Sequence, residues 1–121
     1  MATRLIATLA ALAALNAFAA ETPEKSFNLT IAHGTVPAEQ RVLRVEKGDA
    51  VRVRVTADTA GELHLHGYKV EKKLVPGTPV EITVKAFATG RFPFEWHGEG
   101  EATQSKSHHG PPLAALEVRP K

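Results

Sequence analysis

The stretch Val51-Arg52-Val53-Arg54-Val55 sets apolar and charged residues in strict alternation. Side chains on a strand point to opposite faces at successive residues, so this run has one buried and one wet face. The same period of two recurs on both sides of it. Phe27, Leu29 and Ile31 carry it upstream, as do Leu43 and Val45. Downstream it passes through Val80, Ile82 and Val84, then Phe92, Phe94 and Trp96, then Leu116 and Val118. Turn-forming residues punctuate the runs at Gly48-Asp49, Thr59-Ala60-Gly61, Pro76-Gly77-Thr78-Pro79 and Thr89-Gly90. Helical periodicity is nearly absent. About seven short strands at this spacing predict an all-β sandwich or barrel of antiparallel strands. Phe92, Phe94 and Trp96 read as core, and Tyr68 as either core or lining beside His66.

The chain has 121 residues, enough for one domain. Residues 1–20 do not share the alternation. Arg4 is followed by an apolar run and then by Ala17-Phe18-Ala19, the pattern of a secretory signal peptide. The expected mature domain is therefore 21–121, periplasmic or secreted, with no transmembrane segment. Cysteine is absent, so neither disulfides nor thiolate chemistry is available, and the only methionine is Met1. The formal net charge is +2, and no Lys/Arg run is long enough to track a phosphate backbone, which argues against a nucleic-acid partner. Lys69, Lys72 and Lys73 read instead as a charged strand edge that discourages sheet-to-sheet aggregation.

Residues 98–112 break the rhythm with a polar stretch rich in Gly, Ser and Pro. Histidines stand near both ends of it. Of the six in the chain, His97 precedes the stretch, His108 and His109 close it, and His64 and His66 share a strand face by their spacing of two. His33 reads as a turn residue. Neutral imidazole is the commonest side-chain metal ligand, and several of them converging suit Cu(II), Zn(II) or Ni(II).

From Val45 to Val118 the residues resemble the cupredoxin family of Greek-key β-sandwiches. Val45-Glu46-Lys47-Gly48-Asp49-Ala50-Val51 is similar to that family's early hairpin, and His64-Leu65-His66-Gly67-Tyr68 to the stretch carrying its first copper ligand. Pro76-Gly77 with Glu81 to Ala86 resembles the next turn and strand. Gly90-Arg91-Phe92-Pro93-Phe94-Glu95-Trp96-His97-Gly98 resembles the aromatic strand that leads into the ligand loop. The resemblance implies His66 as the first ligand, His108 or His109 as the second histidine, and His97 in place of the family's cysteine. His64 has no family counterpart and enters on geometry alone. Cysteine and axial methionine are both missing, so a blue electron-transfer site, which depends on a Cu–thiolate bond, is not available.

The reading that follows is a metal-binding protein with a histidine-only site at one pole of the sandwich. It would take Cu(II), or zinc in the same ligands, for binding, buffering or delivery, with another periplasmic metal-handling protein as a partner. Two alternatives stay open. One is a metal-free interaction module whose site has decayed. The other is an enzyme, with a redox-cycling type-2-like copper centre or a zinc that activates water; for the latter no carboxylate is spaced as an obvious general base, although Glu95 and Glu99 flank His97.

Overall fold

The computed structural model describes residues 24–99 and 111–121. The expected signal peptide, His108 and His109 lie outside the described residues. Eight strands form: β1 (Glu24–Ile31), β2 (Val42–Glu46), β3 (Ala50–Ala57), β4 (Gly61–Leu65), β5 (Val70–Leu74), β6 (Val80–Lys85), β7 (Gly90–Gly98) and β8 (Ala114–Arg119). A single 3-10 turn at Ala38–Gln40 is the helical element among the described residues. The strands make a three-stranded sheet in the order β1-β3-β6 and a five-stranded sheet in the order β2-β8-β7-β4-β5.

The core is what period two foretells. On β3, Val51, Val53, Val55 and Ala57 are buried while Arg52 and Arg54 face water. Leu29, Ile31 and Ile82 complete the inner side of the small sheet, and Leu43, Leu63, Leu65, Phe94, Leu116 and Val118 face them from the large one. Phe94 is fully buried, and Phe92, Trp96 and Tyr68 pack partly buried against the cluster.

Two features differ from the antiparallel expectation. β1 pairs with β3, and β2 with β8, in parallel. Parallel neighbours cannot be joined by a hairpin. The chain satisfies this by leaving β1 for the opposite sheet, forming β2, and returning as β3. Val45 to Val51 is therefore a crossing between sheets and not a hairpin. The edge reading of the lysines holds for β5, where Glu71, Lys72 and Lys73 are exposed on the outermost strand of the large sheet.

The crossing turn binds both sheets with backbone hydrogen bonds. Lys47 N–H donates to the Arg119 carbonyl (2.8 Å) on the large-sheet side. On the other side Gly48 N–H donates to the Ala86 carbonyl (2.7 Å), and Ala86 N–H to the Asp49 carbonyl (2.9 Å). Asp49, the one buried charged residue among those described, closes the turn: its Oδ2 accepts the Glu46 N–H at 2.9 Å. Gly48 holds φ at +96°, a left-handed backbone that a side chain resists, although a Cβ there would meet no neighbour. Asp49→Ala orphans a part-buried donor and is expected to cost about 1–3 kcal/mol. Gly48→Ala, which adds conformational strain alone, is expected to cost about 1 kcal/mol. Urea midpoints at constant slope measure both; an unmoved Asp49→Ala midpoint contradicts the role given to this turn.

Candidate functional site

β4 and β7 lie side by side and antiparallel inside the large sheet, with Leu65 opposite Phe94, His64 opposite Glu95, Leu63 opposite Trp96 and Glu62 opposite His97. Leu63, Leu65 and Phe94 turn inward, so parity sends Glu62, His64, Glu95 and His97 to the outer face. β5 adds Glu71 there, opposite His64. The short β4–β5 connection, with Gly67 at φ +85° and Lys69 at +53°, fixes that register.

His66 stands just past the end of β4, where its N–H donates to the Pro93 carbonyl (3.1 Å). Proline has no N–H for a ladder. Pro93 sits one residue beyond the last β4–β7 pair, which spares the β4 ladder a missing bond on that side.

Three histidines and three glutamates thus occupy one outer face. His64 Nε2 lies 3.0 Å from Glu62 Oε1, and its Nδ1 lies 3.6 Å from Glu71 Oε1. Glu95 Oε2 lies 3.0 Å from His66 Nε2 and 3.6 Å from His97 Nε2. The rings of His64 and His97 meet edge to face, with centroids 5.1 Å apart at 87°. His64 and His97 are less than one-third exposed, whereas half of the His66 side chain is open to solvent. Partly exposed ion pairs of this kind stabilise little, about 0–1 kcal/mol each, so the grouping is not explained as a stability device.

The geometry alters the expected placement. His66 was aligned with a first ligand at the pole where the aromatic strand ends. Because β4 and β7 are antiparallel, the end of β7 at Gly98 meets Gly61, and Glu99 N–H donates to the Ala60 carbonyl (2.9 Å). His66 is at the other end of β4, roughly 13 Å along the strand from the register position of His97. The two imidazoles are connected by Glu95, midway between them, on the flank of the sheet. Glu62 and Glu71 went unrecognised in the sequence, although pairing the strands around Gly67 would have set Glu71 against His64. His33 lies in a turn with φ +53°, its N–H donating to Asp58 Oδ2 (3.0 Å).

Tyr68 belongs to the core side. Its ring packs edge to face on Phe87 (4.8 Å) and Phe92 (5.0 Å). Among the described residues its buried hydroxyl meets no hydrogen-bond partner. Burial pushes this phenol above its usual range, with the nearby Phe87 backbone acting weakly against the shift and without hydrogen-bond geometry. At the far side of the outer face, Glu117 is held below the usual carboxylate range, first by its hydrogen bond from Arg119.

No protein-family model matches the chain. No curated protein matches it either. Solved structures do. The apo form of a copper binding protein, determined by NMR in solution, superposes with a TM-score of 0.61 over 82% of this chain and 91% of that one, at 10% identity. A copper nitrite reductase from Nitrosomonas europaea matches with a TM-score of 0.61 at 17% identity, over 81% of this chain and 42% of that one. The multicopper oxidase mgLAC gives 0.60 at 21% identity, over 81% and 39%. The domain thus spans about two-fifths of the reductase and oxidase chains. These likenesses show its fold, which is cupredoxin-like.

The chain has a single tyrosine, so its ultraviolet titration reports Tyr68 alone. Ionisation should begin above the pH of an exposed phenol. A folded-state pKa raised above the unfolded value gives a contribution present in full below about pH 10 and lost as pH rises through the folded value. Tyr68→Phe should remove that alkaline loss and leave neutral-pH stability unchanged or higher, since it deletes an unpaired hydroxyl. Thermal melts at pH 7 and above 10 test this, and a large neutral-pH loss contradicts it.

Proposed function

We propose that this is an exported, periplasmic metal-binding protein of cupredoxin-like fold that takes up Cu(II) through His66, Glu95 and His97 on the outer face of the large sheet. The observation that carries this reading is that two imidazoles from adjacent strands converge on one carboxylate oxygen, at 3.0 and 3.6 Å. Nitrogen and oxygen donors suit Cu(II) in tetragonal geometry, and Cu(II) binds such donors more tightly than Zn(II) does. The likeness in fold to copper proteins points the same way. His108 and His109 remain in the proposal as further imidazole ligands.

The donor set also defines the chemistry. With no cysteine in the chain, a bound copper would lack the thiolate that gives blue sites their electron-transfer character. Cu(I), which prefers soft sulfur ligands, would be held less firmly than Cu(II). Binding, buffering or handing over the oxidised ion fits this set better than rapid electron exchange. His66, half of whose side chain is exposed, offers a donor that a second metal-handling protein could reach. The proposed ligand set adds Glu95 to the expected histidines, since its carboxylate lies between the two rings.

Titration of metal-free protein with Cu(II), followed by electron paramagnetic resonance, should show about one tightly held equivalent with nitrogen coupling and no intense thiolate colour. Replacing His66 and His97 together with alanine should weaken that equivalent by at least ~10-fold, about 1.4 kcal/mol. Copper at 100 times its Kd should stabilise the native state by about 2.7 kcal/mol. Uptake unchanged in the double variant overturns the assignment, and no uptake or thermal shift in the wild type favours a metal-free interaction module.

A further inference from the structure

The outer face sorts its carboxylates into two sets. Glu95 faces His66 and His97, whereas Glu62 and Glu71 both face His64. One donor atom each from Glu62, His64 and Glu71 lies within 4.8 Å of the other two, and among the described residues this is the group of three that comes so close. We propose that Glu62, His64 and Glu71 form a second, separate cation centre, and that Zn(II) is the ion its donors suit. The proposal shares the sheet face with the copper reading but does not depend on copper binding there.

Four observations support it. First, the donors are carried on paired strands: Glu62 and His64 are two residues apart on one face of β4, and Glu71 is the register partner of His64 on β5. Second, the two carboxylates have no competing cation. Lys73 is the register partner of Glu62, yet among the described residues no Lys or Arg forms an ion pair with Glu62 or Glu71. Two anions flanking one imidazole repel each other, and a divalent ion relieves this. Third, the His97 ring packs edge-on against His64, which orients that ring before any ion arrives. Fourth, Glu71 belongs to the edge strand and is 68% exposed, leaving a solvent approach and room for a water ligand.

One imidazole nitrogen and two carboxylate oxygens leave a fourth tetrahedral position for water, a three-ligand arrangement zinc accepts at bond lengths of about 2.0–2.2 Å. Glu62 contacts Nε2 and Glu71 contacts Nδ1 of the His64 ring, so sharing one nitrogen requires one carboxylate to swing round the ring edge, a movement open to the 68% exposed Glu71. Copper would compete for any such group, but the neighbouring set with two imidazoles is the one it prefers, which leaves the carboxylate-rich set to zinc. Glu71 and Glu95 stand on opposite sides of β4, two strand spacings or roughly 10 Å apart in backbone, so the two sets are adjacent centres with distinct carboxylates that touch where the His64 ring meets the His97 ring.

The test is zinc bound per chain, measured on the full protein by calorimetry and by metal analysis after desalting, with circular dichroism to verify folding. Wild type should hold about two equivalents of Zn(II) when copper is absent. The pair Glu62→Gln and Glu71→Gln keeps side-chain size and should lose about one equivalent. It should leave the Cu(II) spectrum unchanged. His66→Ala with His97→Ala should lose the other equivalent and retain the zinc-induced shift of the His64 ring resonances. If that second variant binds zinc as the wild type does, the copper-site reading fails while the zinc centre stands. If the glutamine pair binds zinc with unchanged stoichiometry and affinity, the zinc centre is wrong whatever the copper result.

Discussion

The antiparallel pairing of β4 with β7 is the constraint on which the rest depends. Its inner partners, Leu63 with Trp96 and Leu65 with Phe94, fill the middle of the large sheet. Burying Phe94 and the two leucines stabilises by about 1.5–3 kcal/mol each. A slip of one residue would turn Leu63 and Leu65 to water and His64 to the core. The register is therefore set by hydrophobic burial, and the outer face inherits its order from that burial. Imidazoles and carboxylates share the outer face because the apolar residues behind them exclude any odd-numbered slip.

The same register explains why His64, His66 and His97 share a flank of the large sheet. At a pole, strand ends and loops bring together residues from both sheets. Here the residue of β4 level with the end of β7 is Gly61, over which the Trp96 indole lies so closely that a Cβ would fall 2.5 Å from the ring. That corner is closed by an aromatic ring. The crossing turn at Gly48 and Asp49 contributes from another direction, because its backbone hydrogen bonds tie the small sheet to the inner side of the large one.

The sequence made the strands legible, since burial on one face imposes a period of two that Val51 to Val55 displays without exception. It also made side-chain parity legible: His64 and His66 differ from Leu63 and Leu65, and His97 from Trp96. Register was not legible. Whether His97 faces Glu62 or His66 depends on where β4 and β7 align, and that is decided by tertiary packing between segments about thirty residues apart in sequence. The parallel pairings were hidden for a similar reason, because a crossing turn and a hairpin use the same Gly-Asp chemistry. Glu62 and Glu71 escaped notice because a lone glutamate on a strand is ordinary surface; only the register that sets Glu71 against His64 gives it meaning.

Loss of the thiolate and exposure on the flank have a common consequence for metal handling. A blue site holds copper among soft ligands. A face built from imidazole and carboxylate has harder donors and water on one side, so bound ions there would exchange ligands with solvent and with other proteins. On the proposed reading this favours reversible custody of an oxidised or redox-inactive ion. Backbone rigidity then comes from the strands: the main chain at His64, Glu71 and Glu95 is held by ladder pairing whether or not an ion is present. Such a face meets the ion with its backbone already arranged, so the ordering cost of binding is confined to side-chain rotation. It also surrenders the ion without unfolding any of the sheet.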